Sequence, residues 1–277
     1  MARMEIADNG QLPQWKKSAY NQKRTLKNNI MRYEVDTQER PSLIRFKIDV
    51  SFAQTVSIVG YDATKENTVY FARTLNVKQK NQQVQIPMPV SPEKLTLVIE
   101  QQDGNYGSHI NIYDFQVVDM PERTTAFPPK TMEFYNFLKT FAKKAGYIKP
   151  GFYVSKDENY MIWAKPHLDN DGTPARVNRR TGVVKFNISK MKDYTVFMRI
   201  FIGLHEFFHY ALQTTDEIKA DMGALKVYLG MGYPKTEANY SMTKIFDNSP
   251  SAIERVKVLH NFIKQQESLE RSYVPSK

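Results

Sequence analysis

The segment HEFFH, residues 205–209, lies inside residues 195–212, a stretch with helical periodicity. At about 100° per residue its apolar side chains fill one broad arc, and His205 and His209 stand one turn apart at the margin of that arc. Two imidazoles at this spacing can reach one metal ion, and the carboxylate of Glu206 beside them can accept a proton from metal-activated water. The alternative is a pair of hydrogen-bonded or solvated histidines on the rim of a helix.

The residues after HEFFH offer the third protein ligand that a catalytic zinc site usually needs. Glu217, Ala220 and Asp221 form the pattern Glu-x-x-Ala-Asp. If a helix carries them, Glu217 and Asp221 share one face, so that one can bind the metal while the other orients a ligand. Over roughly residues 194–234 the chain resembles the gluzincin metallopeptidases, which carry these two motifs. The resemblance implies that Glu217 completes a Zn²⁺ site with the two histidines, and that Asp221 orients one of them.

A second interpretation of Glu217 comes from Thr214, because Thr214-x-x-Glu217 matches a capping box. In a capping box Glu217 would bond back to the Thr214 backbone and start the second helix. If Thr215 caps that helix instead, Glu217 is free to bind metal. The pattern favours the metal ligand, since a capping box explains neither Asp221 nor the histidines.

The first part of the chain has a different character. Residues 1–30 are polar and rich in Gln, Asn and Lys, which predicts a basic arm that is partly disordered alone and orders against a neighbouring subunit. Residues 31–120 follow a period of two, and short apolar stretches separated by turn residues predict an antiparallel β-sandwich. After the strand at residues 43–52, further strands are expected at residues 55–60, 68–74, 83–87, 94–100 and 109–118.

Residues 121–130 contain three prolines and predict a linker. Residues 131–271 should then form a zincin-like domain, followed by a tail at residues 272–277. A helix capped by Thr131 is expected over residues 131–145, and strands over residues 152–155, 159–164 and 183–188, before the HEFFH helix. Ser249 and Pro250 should cap and start a last helix, whose inward side chains are expected to be Ile253, Val256, Leu259 and Ile263. The expected fold class is therefore α+β in two domains.

The resemblance also implies how a substrate binds. In that family the last strand before the metal-bearing helix edges the cleft and pairs antiparallel with an extended peptide, which main-chain hydrogen bonds hold. This role falls to Val184, Lys185, Phe186 and Asn187. The oxyanion needs a further donor, and the hydroxyl groups to test are those of Tyr210, Tyr233 and Tyr240.

Composition excludes several alternatives. The chain contains no cysteine, which removes thiolate zinc sites and disulfides. Its net charge of +10 is spread along the sequence without a nucleic-acid-binding motif, so a dedicated nucleic-acid function is disfavoured. Neither a signal peptide nor a membrane-spanning window is evident. The sequence predicts a soluble protein without a membrane partner, located in the cytoplasm or incorporated into a virion.

Two functions compete at this point. The first is a zinc-dependent hydrolase of protein or peptide substrates in which Glu206 is the general base. The second is a structural or assembly subunit, such as a bacteriophage virion component, that carries a zincin-like domain with limited or no activity. Such a subunit would form a homo-oligomer or a larger assembly through the arm and the sandwich. The presence of Glu206 favours the enzyme, because a purely structural zinc site does not need it.

Overall fold

A computed structural model describes residues 24–27, 30–78, 81–102, 110–120, 125–144, 147–169, 172–245 and 249–272. These residues form two compact units, the first ending at Met120 and the second beginning at Thr125. The division falls within residues 121–130, where the sequence predicts a linker. The expected α+β class is confirmed, with antiparallel sheets and helices in one chain. Among the helices of the described residues, none combines the length and the apolarity needed to cross a membrane.

The first unit consists of two antiparallel sheets. Its strands are β1 (Arg24–Lys27), β2 (Ile30–Asp36), β3 (Ser42–Val50), β4 (Gln54–Asp62), β5 (Lys65–Val77), β6 (Gln82–Met88), β7 (Lys94–Gln101) and β8 (Ile110–Asp119). Five strands form one sheet in the order β1-β2-β7-β4-β5, and three form the other in the order β6-β3-β8. The prediction of an arm over residues 1–30 is wrong at β1, which pairs with β2; residues 1–23 lie outside the described part of the chain.

Period-two alternation places the core of this unit on the inner faces of its sheets. On β3, Ile44, Phe46 and Ile48 are buried, while the residues between them are partly exposed. Phe52 was expected to continue this buried row, but it is 69% exposed because β3 ends at Val50.

The second unit combines a four-stranded sheet with six helices among its described residues. The strands are β9 (Gly151–Val154), β10 (Met161–Lys165), β11 (Ala175–Val177) and β12 (Val184–Asn187). The helices are α1 (Pro129–Ala142), α2 (Ile188–Met191), α3 (Val196–Ala211), α4 (Glu217–Gly230), α5 (Lys235–Ile245) and α6 (Pro250–Ser272). The sheet order is β11-β12-β10-β9, and only β10 and β12 run parallel.

The sheet corrects the expected substrate strand. β12 pairs with β10 on one side and with β11 on the other, so its main-chain groups are used within the sheet. The prediction that Val184, Lys185, Phe186 and Asn187 form the edge is therefore wrong. The edge strands are β9 and β11, and β11, at residues 175–177, is not among the strands expected from the sequence.

Helix α3 is fixed by its cap and by its packing on α1. The Thr195 hydroxyl accepts a hydrogen bond from the Met198 amide at 3.2 Å, which satisfies one of the free donors at the helix start. The apolar arc of α3 packs on α1, where the rings of Phe134 and Phe207 stack at 4.4 Å between centroids. Thr131 does not cap α1 as expected, because the helix starts at Pro129, a residue suited to the first helical position.

The last helix presents a different face from the expected one. The Ser249 hydroxyl accepts a hydrogen bond from the Ala252 amide at 3.2 Å, so the predicted cap is confirmed. Leu259 and Ile263 are buried as expected, whereas Ile253 is 47% exposed. The buried face of α6 passes through position 255 instead.

We expect Gly203→Ala to destabilise the second unit by about 1–3 kcal/mol, although alanine is the better helix former. A Cβ at Gly203 would overlap the side chain of Leu138, which is fully buried on α1. Urea unfolding of Gly203→Ala, Leu138→Ala and the double variant would measure this. In the Leu138→Ala background the cost of Gly203→Ala should shrink or vanish, and equal costs in both backgrounds would contradict the close contact.

Candidate metal centre

Helices α3 and α4 bring three potential ligands together. His205 and His209 stand one turn apart on α3, and their Nε2 atoms are 3.0 Å apart. Glu217, the first residue of α4, places Oε2 at 3.3 Å from Nε2 of His205 and Oε1 at 3.4 Å from Nε2 of His209. One donor atom from each residue lies within 4.8 Å of the others. The structure therefore gathers the three residues that the sequence proposed as a ligand set.

The cap of α4 leaves Glu217 free for this cluster. Asp216 is the N-cap, and its Oδ1 accepts a hydrogen bond from the Lys219 amide at 3.1 Å. Both Thr214 and Thr215 are thus wrong as caps, and the hydroxyl of Thr214 accepts from the Asp216 amide instead. As the first helical residue, Glu217 carries its negative charge where the helix dipole favours it.

The outer ring nitrogens of both histidines have fixed partners. Nδ1 of His205 lies 2.7 Å from Oδ1 of Asp221, and Nδ1 of His209 lies 2.9 Å from the carbonyl oxygen of Thr214. Carboxylate and carbonyl oxygens accept hydrogen bonds, so Nδ1 is the donor in each ring and Nε2 is directed at Glu217. Asp221 is fully buried at Nδ1 of His205, while the carboxylate of Glu217 approaches the Nε2 atoms of both histidines.

Arg255 on α6 also joins the cluster, although it is not among the site residues expected from the sequence. Its Nε lies 2.7 Å from Oδ2 of Asp221, and its Nη2 lies 3.1 Å from Oδ1 of the same carboxylate. Nη2 also lies 3.2 Å from Oε2 of Glu217. A signal existed in the sequence: helical spacing places Arg255 on the same side of α6 as Ala252 and Leu259, which are buried.

The charges of the cluster shift the pKa values of its members. Burial lowers the pKa of His205, but hydrogen bonds to Asp221 and Glu217 outweigh it and raise the value to about 9. Burial is also the largest single influence on His209 and lowers its pKa, but the hydrogen bonds to Glu217 and to the Thr214 backbone, with the charge of Glu217, together raise it. Hydrogen bonds from His205 and then His209 hold the pKa of Glu217 well below its usual range. Favourable pairing of opposite charges is the common cause.

Glu206 is in a different environment from the three clustered residues. Its side chain is nearly buried, and it bonds to the backbone of Val177 on β11. Burial raises the pKa of Glu206, although the nearby charges of His205 and His209 partly oppose this. A carboxyl group with a raised pKa can exchange protons closer to neutral pH than an ordinary glutamate.

The cluster lies in the wall of a cavity of about 540 Å³. His205, Glu206, His209 and Glu217 line one side, and β11 lines another. The walls also carry three arginines, Arg176, Arg179 and Arg255.

None of the tyrosines expected to donate to an oxyanion lines this cavity. Tyr233 is 2% exposed in the apolar core, and its hydroxyl lies 3.0 Å from that of Tyr135. The ring of Tyr210 lies against Gly182, and Tyr240 is likewise absent from the cavity wall. Aromatic packing on Tyr228 and Phe197 places the Tyr233 ring in the core, which argues against Tyr233 as the donor, whereas the roles of Tyr210 and Tyr240 stay predictions.

Comparisons with known proteins do not identify the function of the site. No protein-family model matches the chain, and no curated protein matches it. Among solved structures, the one described as "CBM4 structure and function" is 12% identical with a TM-score of 0.27, covering 36% of this chain and 79% of its own. The rhamnosidase from Klebsiella oxytoca with rhamnose bound is 7% identical with a TM-score of 0.27, covering 87% of this chain and 63% of the rhamnosidase. With TM-scores this low, neither neighbour carries an argument about fold or function.

The raised pKa of His205 should appear as a pH dependence of stability in protein treated with a chelator. Protonated His205 gains stability from its carboxylate partners. This gain is complete below the unfolded-state pKa of about 6.5 and is lost as the pH rises through about 9. We therefore expect the free energy of unfolding, measured with urea, to fall between about pH 6.5 and 9. His205→Gln should flatten that fall and His260→Gln should not; an unchanged slope in His205→Gln would contradict the assignment.

Proposed function

We propose that the second unit is a zincin-like domain that hydrolyses peptide bonds with the help of a zinc ion. One observation carries the proposal. Three donor groups on α3 and α4 converge at the wall of a cavity, while Glu206 is held beside them without joining them. A purely structural metal site requires no such extra carboxylate. We also infer that the first unit is a β-sandwich, since Tyr33 and Phe46, from different sheets, both stack on Phe115.

The residues fit a zinc ion by donor chemistry. Two imidazole nitrogens and one carboxylate form a set that suits Zn²⁺ at a catalytic site with room for a further ligand. His205 and His209 are each oriented through Nδ1, by Asp221 and by the Thr214 carbonyl, as metal-binding histidines usually are. The chain would hold the ion through Nε2 of both histidines and the carboxylate of Glu217.

The reaction can be followed through the residues of the chain. A bound Zn²⁺ supplies Lewis-acid polarisation of water and of the substrate carbonyl. Glu206 accepts a proton as water attacks the scissile carbonyl, and it returns that proton to the leaving amine. The hydrogen bond from Val177 holds the Glu206 carboxylate at the cavity wall throughout. Asp221 keeps His205 oriented, and Arg255 pairs with the negative charge of Asp221.

The substrate lies along β11 in this proposal. The hydrogen bonds from Asn187 to the Pro174 carbonyl and from Asn178 to the Val183 carbonyl direct the main chain of residues 174, 176 and 178 towards β12. In an extended strand the groups of Ala175 and Val177 then point to the opposite side. On that side the Val177 amide already bonds to Glu206, so an added peptide strand would pair with the groups of Ala175 and with the Val177 carbonyl.

Zinc content tests the ligand set. We expect about one zinc per chain in the purified protein, measured by elemental mass spectrometry. His205→Ala, His209→Ala and Glu217→Gln should each lower zinc affinity strongly, because each removes a donor. Asp221→Asn should weaken binding less, by roughly 10–100-fold, because it acts through His205. His167→Ala and His260→Ala serve as controls, and stoichiometric zinc in His205→Ala would refute the site.

Activity separates the base from the ligands. We expect Glu206→Gln to keep its zinc and to lose at least about 100-fold in peptide hydrolysis, because the amide cannot accept the proton of the attacking water. Glu158→Gln, an exposed change of the same chemistry, should retain full activity. Unchanged hydrolysis in Glu206→Gln would remove the main support for an enzyme. The alternative of a structural or assembly subunit would then take its place.

A further inference from the structure

We propose that the site selects peptides with acidic side chains, and that Arg176 on β11 is the residue that recognises them. This inference rests on the proposed hydrolase function and names its substrate class. It follows from a cross-strand row of side chains, from the free edge where that row ends, and from the charges around the edge.

The row crosses the whole four-stranded sheet. Phe152 is paired with Trp163, Trp163 with Lys185, and Lys185 with Arg176. Directly paired residues place their side chains on the same face, so these four lie side by side on the face opposite the buried Ile162 and Phe186. Phe152 and Trp163 stack at 5.0 Å, and Nζ of Lys185 lies 5.3 Å from the centroid of Trp163.

Arg176, on the edge strand β11, is the last residue of this row. A peptide strand added to that edge would contribute the next side chain. Because the main chain of Arg176 is directed towards β12, a peptide residue opposite it forms a non-hydrogen-bonded pair. In such pairs the side chains approach more closely than in hydrogen-bonded ones. The peptide residue opposite Arg176 therefore places its side chain beside the guanidinium group.

The charges at this edge favour an acidic partner. Arg176 and Arg179 line the cavity, and neither forms an ion pair with the described part of the chain. The carboxylates of the cavity wall already have partners. Glu206 bonds to Val177, Glu217 to the two histidines, and Asp221 to Arg255. An acidic side chain on the peptide gains attraction from these two arginines, whereas a lysine there meets repulsion.

The ring of Trp163 holds two lysine side chains on this face of the sheet. Lys185 contacts the face of the Trp163 ring, and Lys165 lies 4.9 Å from its centroid. Cation–π contacts hold lysine side chains against the sheet while leaving their charges near the surface. Lys185 therefore adds positive charge next to Arg176 in the row, whereas Lys165 pairs with Asp169 at 3.8 Å.

The proposal is tested with zinc-loaded protein and a short neutral peptide in which each position is replaced in turn by Asp, Asn or Lys. At one position we expect kcat/KM to follow the order Asp, Asn, Lys, with about a 2- to 5-fold step for the single charge interaction. Arg176→Glu should reverse that order. Arg180→Glu changes the net charge equally, but Arg180 does not line the cavity, so the wild-type order should remain.

Several results would overturn the proposal. These are equal rates for the three peptides at every position, or an equal effect of Arg176→Glu and Arg180→Glu, which would indicate net charge alone. Binding of the same fluorescent peptides to zinc-loaded Glu206→Gln, measured by anisotropy, keeps the test separate from catalysis. If wild type cleaves none of the peptides, the proposed hydrolase function fails. Loss of the Asp preference for binding in Glu206→Gln/Arg176→Glu would still support recognition, and its persistence would refute it.

Discussion

The carboxylate of Asp221 is the interaction on which the rest of the site depends. It is fully buried, and removing a charged group from water costs several kcal/mol unless partners compensate. His205 on α3 and Arg255 on α6 provide that compensation at 2.7 Å each, so one residue of α4 joins three helices. Because the same bond sets the tautomer of His205, helix packing and the direction of Nε2 are controlled together. Stability and ligand orientation are consequently not separable at this position.

The sequence was most informative where chemistry depends on covalent spacing within one helix. His205 and His209 are neighbours because residues four apart on α3 must be, and the same argument places Glu217 and Asp221 on one face of α4. The start of α4 was less predictable. Thr214, Thr215 and Asp216 all belong to residue types that cap helices well. Asp216 is the N-cap because α4 starts at Glu217, which places the Lys219 amide within reach of the Asp216 side chain.

Contacts between distant segments escaped prediction for a physical reason. Arg255 is 34 residues from Asp221, and no local pattern reports their hydrogen bonds. β11 has only three residues, and it is a strand because β12 pairs with it, not because of its own composition. Tyr233 was expected at the site because of its hydroxyl group. Its position is instead set by its ring, which stacks on the ring of Tyr228 in the core with 4.3 Å between the centroids.

The register of β11 connects the proton-handling residue with substrate recognition. Its amide at Val177 bonds to Glu206, while the side chain of Arg176 lies on the outer face beside Lys185. A slip of one residue against β12 would move every side chain of the strand to the opposite face. Arg176 would then point into the core, and the amide that holds Glu206 would face β12. The two hydrogen bonds that flank β11 therefore fix the position of the base and the cationic edge at the same time.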